Sequence, residues 1–369
     1  MPEQHQSTVY NYTVGIICGL PRELLAVQFL MDSIHPPPVV SFRDKNRYVP
    51  GTIGGHLVVA TCIPEGQHGT EAAASVASQL GISFPAIQFC LLVGIAGGVP
   101  GREDLRLGDV VVSIPTGTRP GVIQYDLGKA TPGANFVETG SLQRPPRVLL
   151  GAINNLRSDP HLGPNPLQPY LDVIAEKDPR YMFPGRQQDI LFPADYVHLD
   201  GIRCDDHLDS QVRRQTRVSD HPGIFYGLVA SGNTVISDAV LRDRIGQRFN
   251  VLCFEMQAAG VCNALPCLVI RGICDYSDSH KTKVWQDYAA ATAAAYAKLL
   301  LGYVRPHHPD PPSMIEPDAD VTGIGLRLPS IYEIISHVDI GYTAAAGLTL
   351  SLSVFTIWLL STHARRVSR

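Results

Sequence analysis

Four short segments bring reactive residue types to the ends of apolar runs. Gly15-Ile-Ile-Cys-Gly-Leu-Pro-Arg-Glu23 sets the Glu23 carboxylate just past a strand-to-helix turn. Val93-Gly-Ile-Ala-Gly-Gly98 puts a glycine loop at the carboxyl end of a buried strand, where α/β sheets bind ligands. Phe254-Glu-Met-Gln-Ala-Ala-Gly260 joins a strand to a helix of small residues, and Arg271-Gly-Ile-Cys-Asp-Tyr-Ser-Asp278 leaves Asp275 at the end of another apolar strand. A carboxylate in such a place is a candidate proton donor or acceptor. Taken singly, each has an ordinary explanation: Glu23 as a partner of the helix dipole, Asp275 as a helix N-cap, the glycines as a tight turn. Their order, and their shared place at strand ends, is what links them.

The elements that must position these residues are legible as apolar runs. Strands are expected at Tyr12 to Gly19, Tyr48 to Gly51, His56 to Ile63, Ile87 to Val93, Leu107 to Ser113, Gly223 to Ser231, Val251 to Glu255 and Pro266 to Ile273. Helices are expected from Leu20 to Met31, with Pro21 in a tolerated first-turn position, from Thr70 to Leu80, and from Trp285 to Leu301. Continuous apolar strands imply a sheet covered on both faces by helices. Between Asn155 and Asp220 prolines and charges dominate, which reads as a partly ordered insertion and not a separate domain.

The chain has 369 residues, 45% hydrophobic and 17% charged, enough for a sizeable core. A formal net charge of −4 argues against non-specific nucleic-acid binding, which needs a basic face. Any phosphorylated ligand must therefore be held by local cations. The eight cysteines form no Cys-x-x-Cys pair, so free thiols are expected and neither a metal centre nor an organic cofactor is implied.

Longer strings carry a resemblance over roughly residues 12 to 303. They are Tyr12-Thr-Val-Gly-Ile-Ile-Cys-Gly-Leu-Pro, Val93-Gly-Ile-Ala-Gly-Gly-Val-Pro, Gln124-Tyr-Asp-Leu-Gly-Lys129, Gly140-Ser-Leu-Gln-Arg-Pro-Pro-Arg-Val-Leu and Arg271-Gly-Ile-Cys-Asp-Tyr-Ser-Asp-Ser-His-Lys281. In these the chain resembles the nucleoside phosphorylase and nucleosidase superfamily, in particular a fungal branch found at the front of receptor-like proteins with nucleotide-binding and repeat modules. The resemblance implies an α/β fold, a three-layer α/β/α sandwich around a mixed twisted sheet, in a homo-oligomer. It also implies cleavage of the base–ribose bond of a purine nucleoside or nucleotide.

The resemblance assigns roles by position. Asp275 matches the general acid that serves N7 of the purine, which requires a carboxyl kept protonated by burial, with Lys281 or Lys283 near enough to steer its proton. Glu23 matches the glutamate that activates water in the hydrolytic branch. Met256 packs under the ribose, the backbone of Gly94, Ile95, Ala96 and Gly97 faces the anomeric region, and Val235 and Ile236 border the base. The chain departs from the family at Gln257, where a glutamate usually accepts both ribose hydroxyls. An amide there loses charge-assisted bonds worth roughly 1–2 kcal/mol.

Ile95 stands where a hydroxyl would help hold phosphate, which together with Glu23 favours water as nucleophile, while Arg22 keeps phosphorolysis open. Lys129, Arg144 and Arg147 are the candidates to hold a polyphosphate, equally readable as solvated charges. The reading is an adenine nucleosidase with ATP as the first substrate to test. Its alternatives are a phosphate-dependent purine nucleoside phosphorylase and a membrane-tethered nucleotide sensor of little activity.

The predicted organisation is a catalytic domain over 1–305, a Pro-rich linker over 306–339, a transmembrane helix over 340–361 and a basic tail over 362–369. The apolar stretch is about the ~20 residues a bilayer crossing needs. With no apolar signal core at the N-terminus, it reads as a tail anchor holding the catalytic domain in the cytosol.

Overall fold

A computed structural model describes residues 8–101, 103–132, 135–198 and 209–307. These fall in one compact unit, Met1–Pro311. The apolar stretch at 340–361, its tail and residues 308–339 of the linker lie outside the described residues. Among those described, no helix is long and apolar enough to cross a membrane.

The chain alternates strand and helix. It opens with β1 (Val14–Cys18), α1 (Pro21–Phe29), β2 (Ser33–Ile34), β3 (Tyr48–Ile53), β4 (His56–Cys62), α2 (Gly69–Ser83), β5 (Phe89–Gly98) and β6 (Val110–Ser113). Then come β7 (Val122–Gln124), β8 (Gly128–Thr131), β9 (Asn135–Glu138), α3 (Arg147–Arg157) and α4 (Gln168–Lys177). The last run is β10 (Ile224–Ser231), α5 (Ala239–Phe249), β11 (Val251–Glu255), α6 (Ala258–Ala264), β12 (Cys267–Asp275) and α7 (Gln286–Leu301).

Ten strands form one mixed sheet in the order β11-β10-β6-β12-β5-β1-β4-β3-β2, with β7 paired to β10. Strands β1, β4, β5 and β12 run parallel, β6 lies antiparallel to β12, and β3 lies antiparallel to β4. The far end of β5 turns out of this plane to pair antiparallel with β11, Gly97 opposite Phe254. One half of the sheet thereby closes on itself and brings the ends of β5, β11 and β12 together.

Side chains alternate between two cores, as the pleat requires. Val14, Ile16, Leu91, Val93, Leu268 and Ile270 join α1, α3, α4 and α7 on one face. Ile17, Cys90, Leu92, Val269 and Ile273 join α2 and α6 on the other. Two glycines let helices sit close. A Cβ on Gly272 would lie 2.9 Å from the Ala289 Cα of α7, and one on Gly260 would lie 2.8 Å from the Thr70 carbonyl carbon of α2. This is the mixed α/β architecture expected, in three layers.

One expectation needs correction. The Gly94–Gly98 segment is not a loop, because β5 continues through it and pairs with both β12 and β11. The stretch from Asn155 to Asp220, expected as a partly ordered insertion, contributes to the main core. Leu156, Leu167, Leu171, Ile174 and Tyr181 are buried in the core beside α7. Further on, Arg217 makes a two-pronged bond to the buried Asp109 at 2.7 Å on each side. Its prolines sit at helix starts and turns, where they break periodicity without preventing burial.

Candidate active site

The site is built around an arginine without solvent exposure. Arg271 lies inside β12, opposite Gly94 of β5. A guanidinium cannot shed its charge, so burial requires carboxylate and carbonyl partners. Arg271 Nη2 is ion-paired with Glu255 Oε2 and donates to Gln257 Oε1 at 3.0 Å. Nη1 approaches the Ile95 carbonyl at 3.4 Å.

Glu255 in turn accepts from the amides of Gln257 and Ala258 at 2.9 and 3.0 Å, which caps the start of α6. That fixes the turn presenting Met256 and Gln257 to the cavity. Because arginine only donates, the atom of Gln257 facing it must be the carbonyl oxygen. The amide nitrogen then lies over Gly19, where a Cβ would sit 3.4 Å from it.

Glu23 occupies the first turn of α1 and bends back. Its Oε2 accepts from the Gly19 and Leu20 amides at 2.6 and 2.8 Å, and its Oε1 from the Ile95 amide at 2.8 Å. It therefore caps its own helix and also reaches the strand end, so the structural and chemical readings of Glu23 coexist. Burial pushes its carboxyl above the ordinary range, against the opposing pull of Arg271 and those three amides. Gly94 is glycine because this space is taken. A Cβ there would lie 2.7 Å from Glu23 Oε1 and closer still to Arg271 Nη1.

Asp275 is aimed by a bulge at Cys274, after which it pairs with Gly97. Its Oδ1 accepts from the Ser277 amide at 2.8 Å and meets Lys281 Nζ at 2.9 Å. The first of these is a turn closed by the side chain, not a helix cap. Among the described residues, Oδ2 has only a thiol contact from Cys274 at 3.3 Å, which leaves it the available oxygen. Burial holds the Cys274 thiol well above its ordinary value, so it is no nucleophile.

The following residue anchors the turn. The Tyr276 hydroxyl bonds Asp189 and receives a bond from Arg214 at 2.7 Å, while its carbonyl accepts from Arg242 at 2.9 Å. Asp189 and Arg214 both come from the Pro-rich segment. That segment thus buttresses the Asp275 turn.

A cavity of about 230 Å³ gathers these groups. Of the residues singled out from sequence, Glu23, Ile95, Gly97, Val235, Ile236, Met256, Gln257 and Asp275 line it. Gly94 lies behind Glu23 and Arg271, and the Ala96 side chain points into the α2–α6 core. The expected phosphate-binding cations are elsewhere. Arg22 pairs with Asp287 at 2.7 Å, and Lys129, Arg144 and Arg147 are exposed on β8 and around the start of α3. None of the four lines the cavity. Lys281, unlike Lys283, lines it and pairs with Asp275.

Sequence reasoning assigned no role to Arg271, Glu255 or Ser277. The signal for Arg271 was present, a charged residue inside an apolar strand, but its partner Glu255 lies 16 positions away. A roomier cavity of about 530 Å³ between β7, β9 and α6 holds an Arg119–Glu138 ion pair and none of the groups above.

A family model described as the phosphorylase superfamily matches residues 13–305. A nucleotide-binding leucine-rich repeat (NLR)-like protein of Hyaloscypha variabilis is 44% identical over 300 residues, covering 80% of this chain and 30% of that protein. The match thus spans under a third of the relative's length.

Among solved structures, the fold is similar to 5'-methylthioadenosine/S-adenosylhomocysteine nucleosidase from Neisseria meningitidis in complex with methylthio-immucillin-A. There the TM-score is 0.52 at 16% identity, over 79% of this chain and 99% of that one. The corresponding S. pneumoniae nucleosidase with a transition-state inhibitor gives 0.51 at 19%, over 79% and 99%. Futalosine hydrolase of Helicobacter pylori gives 0.51 at 15%, over 79% and 97%. At these identities the likeness is one of fold.

The buried cluster makes a stability prediction. Arg271→Met removes the cation and strands Glu255, which should lower the unfolding free energy by about 3–5 kcal/mol. Adding Glu255→Gln should recover much of that loss in urea titrations. Equal losses in the single and double variants would contradict the pairing.

Proposed function

The chain belongs to the phosphorylase superfamily, and from that premise we propose that it hydrolyses the base–ribose bond of a purine nucleoside or nucleotide. The observation that carries this is that two carboxyl groups, Glu23 and Asp275, line one cavity together with Met256 and Gln257, with the buried charge of Arg271 acting on Glu23. The fold shared with nucleosidases of 5'-methylthioadenosine and S-adenosylhomocysteine, and with futalosine hydrolase, supports it.

In this reading the purine places N7 at Asp275 Oδ2, with Val235 and Ile236 beside the base and Met256 and Gln257 beside the sugar. Water at Glu23 attacks C1' and gives its proton to the Glu23 carboxylate. The C1'–N9 bond breaks, its electron pair passes into the base, and Asp275 delivers a proton to N7. The carboxylate left on Asp275 is stabilised by Lys281 and the Ser277 amide. The products are free purine and a free sugar.

Water is favoured over phosphate on charge. A phosphate would have to sit against Glu23, with Ile95 offering no hydroxyl and Arg271 already committed to Glu255 and Gln257. The residues described support the base and sugar ends of the reading more than a triphosphate end, because the expected cations do not line the cavity. ATP is therefore one arm of the test beside adenosine and inosine. Gln257 gives the weakly active sensor its one supporting observation.

Full-length protein incubated with each substrate, with and without inorganic phosphate, should release free base independently of phosphate. Asp275→Asn should lower the rate by about 10²–10⁴-fold. Release that requires phosphate would make the protein a phosphorylase, and no release from folded protein would favour the sensor.

The pH profile gives a second check. Glu23 acts as a base only when ionised, and burial raises its pKa, so activity should fall on acidification at a pH above the ordinary glutamate value of 4.5. Glu23→Gln should abolish that limb along with most of the rate; an unshifted limb in the variant would remove Glu23 from the role.

A further inference from the structure

Ser277, two residues past Asp275, carries two local costs that no contact among the described residues offsets. Its backbone is left-handed, at φ 52°, a region that favours glycine. The other described non-glycine residue with positive φ is Asn250, where that conformation ends α5 in the ordinary way. Ser277 terminates no helix. It is also 1% exposed, and its hydroxyl is buried without a hydrogen-bond partner among the described residues. Buried hydroxyls are nearly always paired.

Ser277 nonetheless lines the same cavity as Asp275, and its hydroxyl lies against Gly97, another residue of that lining. Both side chains converge on Gly97. A Cβ on that glycine would lie 2.7 Å from Asp275 Oδ1 and closer still to Ser277 Oγ. The bulge at Cys274 and the anchored Tyr276 hold the two groups on one wall.

On a purine, the neighbour of N7 along the same edge is the substituent at position six: an amino group in adenine, a keto oxygen in guanine and hypoxanthine. We infer that Ser277 Oγ is a substrate-contacting residue that hydrogen-bonds the six-position substituent of the base, an inference that rests on N7 lying at Asp275. A hydroxyl both donates and accepts, so it serves a six-amino and a six-oxo purine alike. What it selects against is a purine with nothing at that position. The strained turn and the orphan hydroxyl are then a preformed half of a bond that the base completes.

The test compares wild type with Ser277→Ala and Ser277→Gly on adenosine, inosine and unsubstituted purine riboside. Neither variant should melt appreciably below wild type, since no hydrogen bond among the described residues is lost. For adenosine and inosine kcat/KM should fall about ten-fold in both variants, as for one lost hydrogen bond in a buried site. Purine riboside should stay within about two-fold, on the same reasoning. An equal fall for all three substrates would mean that Ser277 only positions Asp275, and no fall for any would mean that the hydroxyl touches nothing; either overturns the inference.

Should folded wild type release no base at all, the hydrolytic reading fails separately. Calorimetric titration of free adenine, hypoxanthine and purine into wild type and Ser277→Ala then decides. A loss confined to adenine and hypoxanthine upholds the contact. Equal affinities in the two proteins, or no binding of any base, refute it.

Discussion

A permanent positive charge shut away from water is the constraint on which the site depends. Arg271 has no exposure, and its burial is tolerable only because Glu255, Gln257 and the Ile95 carbonyl surround it. Each of those partners is thereby fixed. Glu255 is locked onto the amides that begin α6, Gln257 has its carbonyl turned inward, and Ile95 is held where its own amide meets Glu23. One cation thus orders three chain segments that are remote in sequence.

The closure of the sheet makes this possible. Strand β5 pairs with β1 over its first residues, Phe89 to Leu92, with β12 along most of its length and with β11 at its end, so Gly97 stands between Phe254 and Asp275. The glycines along that strand end serve the packing of charged side chains more than any turn. Gly94 makes room for Glu23 and Arg271, and Gly97 for Asp275 and Ser277. The Pro-rich segment then locks the opposite wall through Asp189 and Arg214 on Tyr276.

Much of this was legible in the sequence, and the failures have physical causes. Strands such as β1, β4, β5 and β12 are buried on both faces, so they read as continuous apolar runs. Helices α3 and α4 did not, because each buries only a narrow stripe amid prolines and charges, Leu149, Ile153 and Leu156 in one and Leu171 and Ile174 in the other. Glycine is a strong local signal for a turn, and Gly94–Gly98 was read that way, but the property in use is absence of a side chain. The positions of Glu23, Gln257 and Asp275 came from motif resemblance, whereas the roles of Arg271 and Ser277 depend on contacts across strands that spacing does not encode. The distance of Lys129, Arg144 and Arg147 from the cavity is of the same kind.

In the proposed hydrolysis Glu23 directs a water at the anomeric carbon, and its carboxylate disfavours phosphate there. Tracing the oxygen that arrives at C1' tests this most directly. Protein, substrate and inorganic phosphate are combined in ¹⁸O-labelled water, and the sugar product is weighed by mass spectrometry under quench conditions that limit exchange at C1'. The account predicts free sugar carrying one solvent-derived oxygen. A sugar 1-phosphate in which the new C1'–O bond comes from unlabelled phosphate would contradict it.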